Sequence, residues 1–169
     1  MALFKPTVMK NRLVDLDLQT LESLGIKGLV LDVDNTLSRH LEQTPLDGVS
    51  DFVNKMKSHG IKMIILSNSK RERVEPFAKL LSLDFEFGAK KPLCGGLNRA
   101  IGRMGLEKDK VLLCGDQLFT DMLCGNLSGV KTLLVAPVHT ENRVGFKIKR
   151  FFERPFLRAY KKTKGDDKL

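Results

Sequence analysis

The sequence has no apolar run near the roughly 20 residues that a membrane-spanning helix requires, so no such helix is expected. Its start, Met1 to Lys10, holds only a three-residue apolar patch and a proline, and no signal-peptide core is expected there. Cysteine is scarce: Cys94, Cys114 and Cys124 form no CxxC pair and leave one thiol over under any pairing. That excludes a disulfide framework and argues against structural zinc. With apolar or Gly-rich surroundings, the thiols read as small buried side chains in a reducing cytoplasm. No GxxxxGK(S/T) or GxGxxG loop occurs, so folds built on those phosphate loops have no support. Internal repeats and low-complexity linkers are absent too. What remains is 169 residues, 42% hydrophobic and 29% charged, which suits one ordinary domain with a real core.

The net charge of +9 is unevenly placed. Residues 143–169 carry 10 basic and 3 acidic residues, a surplus of 7, whereas residues 1–142 carry 19 and 17, a surplus of 2. The chain therefore divides into a nearly neutral body, 1–142, and a basic tail, 143–169. Within the tail, Lys147, Arg150, Arg154, Arg158 and Lys161 recur at helical spacing, opposite Val144, Ile148, Phe151, Phe152, Phe156 and Ala159. A basic amphipathic helix with Phe on its apolar side suits the interface of an anionic membrane. Packing on the core is the expected state of residues 144–152, and anion contact that of the remainder, with Pro155 interrupting a single straight helix. RNA is the other anion such a tail could meet.

Three β-branched, near-continuous apolar runs end in polar residues: Gly28 to Asp32, Ile61 to Ser67 and Val111 to Asp116. Lys131 to Val135 resembles them, and a short strand is expected near Phe85. Runs without alternation belong to strands buried on both faces of a parallel sheet. Between them, Val49, Phe52, Val53 and Met56 mark one helix stopping at Gly60. Val74, Phe77, Leu80 and Leu81 mark a second whose start Pro76 blurs, and Leu97, Ile101 and Met104 a third closed by Gly105. Alternating strands and helices predict an α/β fold: a three-layer, Rossmann-like sandwich around a mostly parallel sheet. Ligands of such sheets lie beyond the carboxyl ends of the strands, where Asp32, Ser67 and Asp116 should converge.

Asp32 and Asp34 stand two residues apart at a strand end and face the same way if strand geometry persists. Paired carboxylates need a cation or a shared proton, and Mg²⁺ suits an all-oxygen set; equally, Asp and Asn simply favour turns. Ser67 and Asn68 could donate to a phosphoryl oxygen or cap the next helix. Lys91, before Pro92, could supply a fixed positive charge. Asp116 could bind metal, and Asp121 could orient a ligand or cap a helix.

Together these residues resemble the haloacid dehalogenase superfamily. Its four motifs stand in order: Asp32-x-Asp34-x-Thr36, a strand ending in Ser67, Lys91, and Gly115-Asp116 followed by Asp121. The details Asp-Asn-Thr-Leu, Ser-Asn, Ala-Lys-Lys-Pro and Gly-Asp-Gln-x-x-Thr-Asp resemble the YqeG-type phosphatases of subclass IIIA. These are similar in turn to mitochondrial phosphatidylglycerophosphate phosphatases. The resemblance implies a phosphomonoesterase with Asp32 as nucleophile, Asp34 as general acid–base, and Thr36, Ser67, Asn68 and Lys91 around the phosphoryl group. Mg²⁺ would be held by Asp32, the Asp34 carbonyl and Asp116, with Asp121 assisting. Lys90 competes with Lys91 for the third motif, and the proline favours Lys91.

Family members often carry a cap after the first or second motif. Here Val49 follows Asp34 within fifteen residues, and Ser67 and Lys91 are 24 positions apart, so neither interval holds a folded cap. An open crevice suits a large or surface-presented substrate, and the expected one is a phospholipid head group, phosphatidylglycerophosphate. A soluble nucleotide or sugar phosphate is the alternative. An RNA- or ribosome-associated binding protein is another, against which the complete motif set argues. A receiver domain is disfavoured because Gly115-Asp116 follows Lys91-Pro92 instead of preceding it. The expected location is cytoplasmic, peripheral on the inner face of a membrane.

Overall fold

The computed structural model describes residues 2–137, so the expected basic helix and tail of 143–169, and the boundary at 142, lie outside it. Six strands form its sheet: β1 (Val8–Lys10), β2 (Gly28–Leu31), β3 (Lys62–Leu66), β4 (Asp84–Glu86), β5 (Val111–Gly115) and β6 (Lys131–Val135). They are ordered β1-β6-β5-β2-β3-β4, and every pairing is parallel. Helices α1 (Leu18–Ser23), α2 (Val49–Ser58), α3 (Arg71–Leu80), α4 (Gly95–Met104) and α5 (Leu123–Ser128) cover it. Among the described residues, no helix is long and apolar enough to cross a membrane.

The strand residues alternate between two cores. Leu29, Leu31, Met63, Ile65, Leu112 and Cys114 pack with α2 and α3 through Phe52, Val53, Val74 and Phe77. Val30, Ile64, Leu66, Val111 and Leu113 pack on the other face with α4 and α5 through Leu97, Ile101 and Cys124. The result is the expected three-layer sandwich, and burial on both faces explains the unbroken apolar runs. From β2 the chain steps outward through β3 to β4. It then returns beside β2 as β5 and steps the other way to β6. The reversal between β2 and β5 is where a ligand crevice opens.

The helices follow their sequence signals except at the end of α3, where Leu80, grouped with the apolar face, is exposed and Leu81 lies one residue past the helix. Gly60 and Gly105 adopt positive φ just past α2 and α4, as helix-ending glycines do. Pro76 does not delay α3: the helix begins at Arg71, and Pro76 lies exposed inside it, where the Glu72 carbonyl it leaves unbonded can meet water. Short β1 and α1 go beyond the expected elements. β1 is held by its pairing with β6, Val8 opposite Leu133, and a three-residue strand carries no legible periodicity. Cys114 and Cys124 are buried as expected, but Cys94 is only half-buried, because it occupies the N-cap position of α4 at the protein's edge.

Phe77 is the largest fully buried side chain, wedged between α3 and the sheet. Phe77→Ala should destabilise the protein by about 3–5 kcal/mol, from lost burial plus the cavity left behind. Denaturant unfolding followed by far-UV circular dichroism would measure the loss.

Candidate active site

Register brings the site together. Leu31 pairs with Ile65 on one side and Cys114 on the other, so Asp32 leaves β2 one residue before the step at which Ser67 and Asp116 follow the two adjacent strands. The Asp32 amide donates to the Cys114 carbonyl at 2.9 Å, extending the ladder one step past β2. Beyond β5 the chain forms a π-helical turn, Leu118–Met122, which folds Asp121 back over the strand end. Its carboxylate accepts from the Gln117 amide at 3.1 Å. The approach is close enough that a Cβ on Gly115 would stand 2.3 Å from the Asp121 Cγ, so only glycine fits there.

The carboxylates of Asp32, Asp116 and Asp121 are all buried and offer oxygens within 4.8 Å of one another. One buried cation answers them. The Lys91 Nζ donates to Asp32 Oδ1 at 2.6 Å and to the Leu66 carbonyl at 3.1 Å, and it pairs with Asp121 Oδ1 at 2.7 Å. Three carboxylates against one ammonium leave an excess of two negative charges when all are ionised. Burial therefore pushes the Asp32 carboxyl up to about 8; Lys91 opposes the rise, and Asp121 and Asp116 add to it. Burial alone would lower the Lys91 ammonium, but Asp121 and Asp32 outweigh it and hold it above its ordinary value. Hard oxygen donors with uncompensated charge fit a divalent cation of the Mg²⁺ class.

Lys91, not Lys90, reaches the cluster. Lys90 is exposed and turned away by a backbone φ of +57°. Asn68, expected beside the phosphoryl group, instead clasps the Lys91 backbone: its Oδ1 accepts from the Lys91 amide at 2.7 Å, and its Nδ2 donates to the Lys91 carbonyl at 3.1 Å. Ser67 is buried at the end of β3, its Oγ accepting from the Ser69 amide at 3.1 Å. Thr36 is also buried and lines a recess with Asn35, Leu46 and Val49.

Asp34 does not join the three-carboxylate cluster, although strand alternation put it beside Asp32. β2 ends at Leu31, and Asn35 turns the chain with φ +63°, a value asparagine tolerates. Asp34 Oδ1 accepts from the Leu41 amide at 3.0 Å and from Arg73 Nη2 at 3.1 Å, with His40 Nδ1 3.9 Å away. Arg73 also donates to Ser38 Oγ at 3.1 Å and lies over the Phe77 ring. Nothing in the sequence marks Arg73 as this partner, since one of the two arginines on α3 is singled out only by packing. The steric demand at Gly115 was equally hidden, although its motif was not.

Such a crevice combines a buried carboxylate, an ammonium fixed on it, a carboxylate cluster that could hold a cation and a second carboxylate at the rim, the parts phosphoryl transfer uses. A family model for haloacid dehalogenase-like hydrolases matches residues 13–135. The "Probable phosphatase YqeG" of Bacillus subtilis is 34% identical over 159 residues, 94% of this chain and 92% of that protein. The chloroplastic/mitochondrial phosphatidylglycerophosphate phosphatase 1 of Arabidopsis thaliana is 28% identical over 143 residues, 79% of this chain and 41% of that protein. Among solved structures, a HAD family hydrolase from Streptomyces avermitilis shares the fold, with a TM-score of 0.56 at 22% identity over 68% of this chain and 74% of that one.

Gly115→Ala should leave the sheet intact but push Asp121 out of the cluster. Isothermal titration with Mg²⁺ should then show at least a tenfold weaker affinity, with the far-UV spectrum unchanged.

Proposed function

The chain belongs to the haloacid dehalogenase-like hydrolases and is a phosphatase, and on that premise we propose that it is a Mg²⁺-dependent hydrolase of a phospholipid phosphomonoester, working on the inner face of a membrane. The observation that carries the chemistry is the Lys91 ammonium locked between Asp32 and Asp121 beside a third buried carboxylate. The lipid assignment is supported by the likeness to a phosphatidylglycerophosphate phosphatase and by the short intervals around the site. Among the described residues, no folded insertion stands between Asp34 and α2 or between Ser67 and Lys91.

Asp32 attacks phosphorus and forms an aspartyl-phosphate as the bond to the leaving oxygen breaks. Asp34 gives that oxygen a proton, then takes one from the water that attacks the phospho-enzyme and releases phosphate. Lys91 keeps the Asp32 carboxylate in place and offsets the approaching phosphoryl charge, and Ser67 stands at the neighbouring strand end to bind an oxygen. Asp32, the Asp34 main-chain carbonyl and Asp116 would hold Mg²⁺, with Asp121 assisting. The ion, when bound, supplies positive charge against the phosphoryl oxygens.

Asp32→Asn and Asp34→Asn should each lower turnover of a lipid phosphate in mixed micelles by at least 1,000-fold, on the order of 4 kcal/mol of barrier, while the melting temperature holds or rises. Near-parental turnover by Asp32→Asn sinks the nucleophile assignment.

Cation binding should also depend on pH in a definite direction. An Asp32 carboxyl at about 8 must lose its proton to ligate, so Mg²⁺ binding releases a proton below that pH. Affinity should rise about tenfold per pH unit from 6 toward 8 and flatten above. Titration in buffers of differing ionisation enthalpy checks both the slope and the proton count.

A further inference from the structure

The mouth of the crevice carries apolar side chains that no core uses. Leu41, Phe87 and Leu93 are 56%, 43% and 65% exposed, half of the six large hydrophobic side chains that the described residues leave in solvent. All three lie beyond the carboxyl ends of the strands, on loops that also carry site residues. Leu41 follows Asp34 and donates its amide to that carboxylate. Phe87 comes directly after β4, and Leu93 lies two residues past Lys91. The apolar groups thus flank the opening from two loops, the one after β2 and the one after β4.

The same loops are basic. Arg39 and Lys90 are exposed there and Lys70 and Arg71 at the start of α3 between them, against the exposed acids Glu42, Asp47 and Glu72. Arg71 lies 5.8 Å from the Phe87 ring centroid, so charge and apolar surface are intermingled. Backbone conformation adds an independent sign: Leu41 and Lys90 are held at φ +61° and +57°, a region that bulky L-residues rarely adopt. Strained positions of this kind persist where their side chains are needed in place. Here they hold one apolar and one basic side chain outward at the mouth.

Resting on the lipid-phosphate reading, we infer that this rim is a membrane-docking surface which seats the open crevice on an anionic bilayer. Leucine and phenylalanine enter the headgroup–acyl boundary, and the cations meet lipid phosphates. A lipid phosphomonoester then reaches Asp32 without leaving the bilayer, which lies over a crevice that no folded insertion among the described residues covers.

The sequence contains no tryptophan, which permits a direct test in the full-length protein. Leu93→Trp places the sole indole on the rim, and Leu80→Trp places it at the far end of α3, where Leu80 is 63% exposed. On vesicles of phosphatidylcholine and phosphatidylglycerol at low salt, Leu93→Trp should emit at shorter wavelength and be quenched by brominated lipids. Leu80→Trp should do neither. Phe87→Ser combined with Leu93→Ser should weaken vesicle partitioning at least tenfold, while turnover of a soluble aryl phosphate stays within twofold of the parent. No vesicle binding by the parent overturns the docking surface. So does binding without a response from Leu93→Trp, which would assign the attachment to the tail or the rim to a protein partner. The lipid reading is judged separately, by hydrolysis of a short-chain lipid phosphate below its micellar concentration. If only the aryl phosphate is cleaved there, the lipid substrate fails, whatever the vesicles show.

Discussion

Everything in the crevice turns on one buried ammonium. Lys91 is 6% exposed, and moving a lysine charge out of water costs several kcal/mol unless anions and dipoles replace the lost hydration. Asp32 and the Leu66 carbonyl supply the replacement through hydrogen bonds, and Asp121 as an ion pair. The converse also holds. Asp32 could not remain an anion so deep in the protein without that ammonium, and even with it the carboxyl is raised. The pair therefore leaves a group that is poised rather than inert: charge is present, fixed in direction and incompletely neutralised. A divalent cation would offset the two negative charges that the protein alone leaves uncompensated.

The fold holds that ammonium at one point through several unrelated contacts. Asn68, at the end of β3, grips both main-chain groups of Lys91 from across the crevice, so the lysine loop cannot shift without breaking two hydrogen bonds. The parallel register brings Asp32 and Asp116 within one residue step of each other at the switch between β2 and β5. A π turn reverses direction quickly enough to place Asp121 above its own strand, and the missing side chain of Gly115 makes room for it. Each contact is worth little alone. In concert they prevent the relaxation by which clustered carboxylates would otherwise move apart.

How legible this was in the sequence depended on whether a feature arises locally or by packing. The unbroken apolar runs ending at Asp32, Ser67 and Asp116 spell out a parallel sheet with polar residues at its carboxyl edge, because burial on both faces leaves no alternation. Helix ends at Gly60 and Gly105 are equally local, set by backbone freedom. By contrast, β1 exists only because β6 offers an edge, and Pro76 fails to break α3 because its exposed side can be hydrated. The choice between two adjacent lysines, 90 and 91, is settled by which one the chain turns inward. Asn68 was legible as a polar residue at a strand end but not as a backbone clasp, since its partner lies 23 residues away.

The same distinction bears on Asp32 and Asp34. Two residues apart in sequence, they occupy environments that cannot be exchanged. Asp32 sits among like charges, bonded to Lys91 and without freedom to move. The Asp34 side chain is 15% exposed and held at the rim by an arginine, a hydroxyl at 3.4 Å and a main-chain amide, outside the cluster of like charges. A nucleophile must be fixed in line with its target, whereas a proton carrier must face the leaving oxygen and then water. Charge fixed by burial suits the first task, and a carboxylate at the solvent boundary suits the second. The end of β2 at Leu31 separates the two environments, because the strand geometry that would have aimed both carboxylates at one point is lost before either residue is reached.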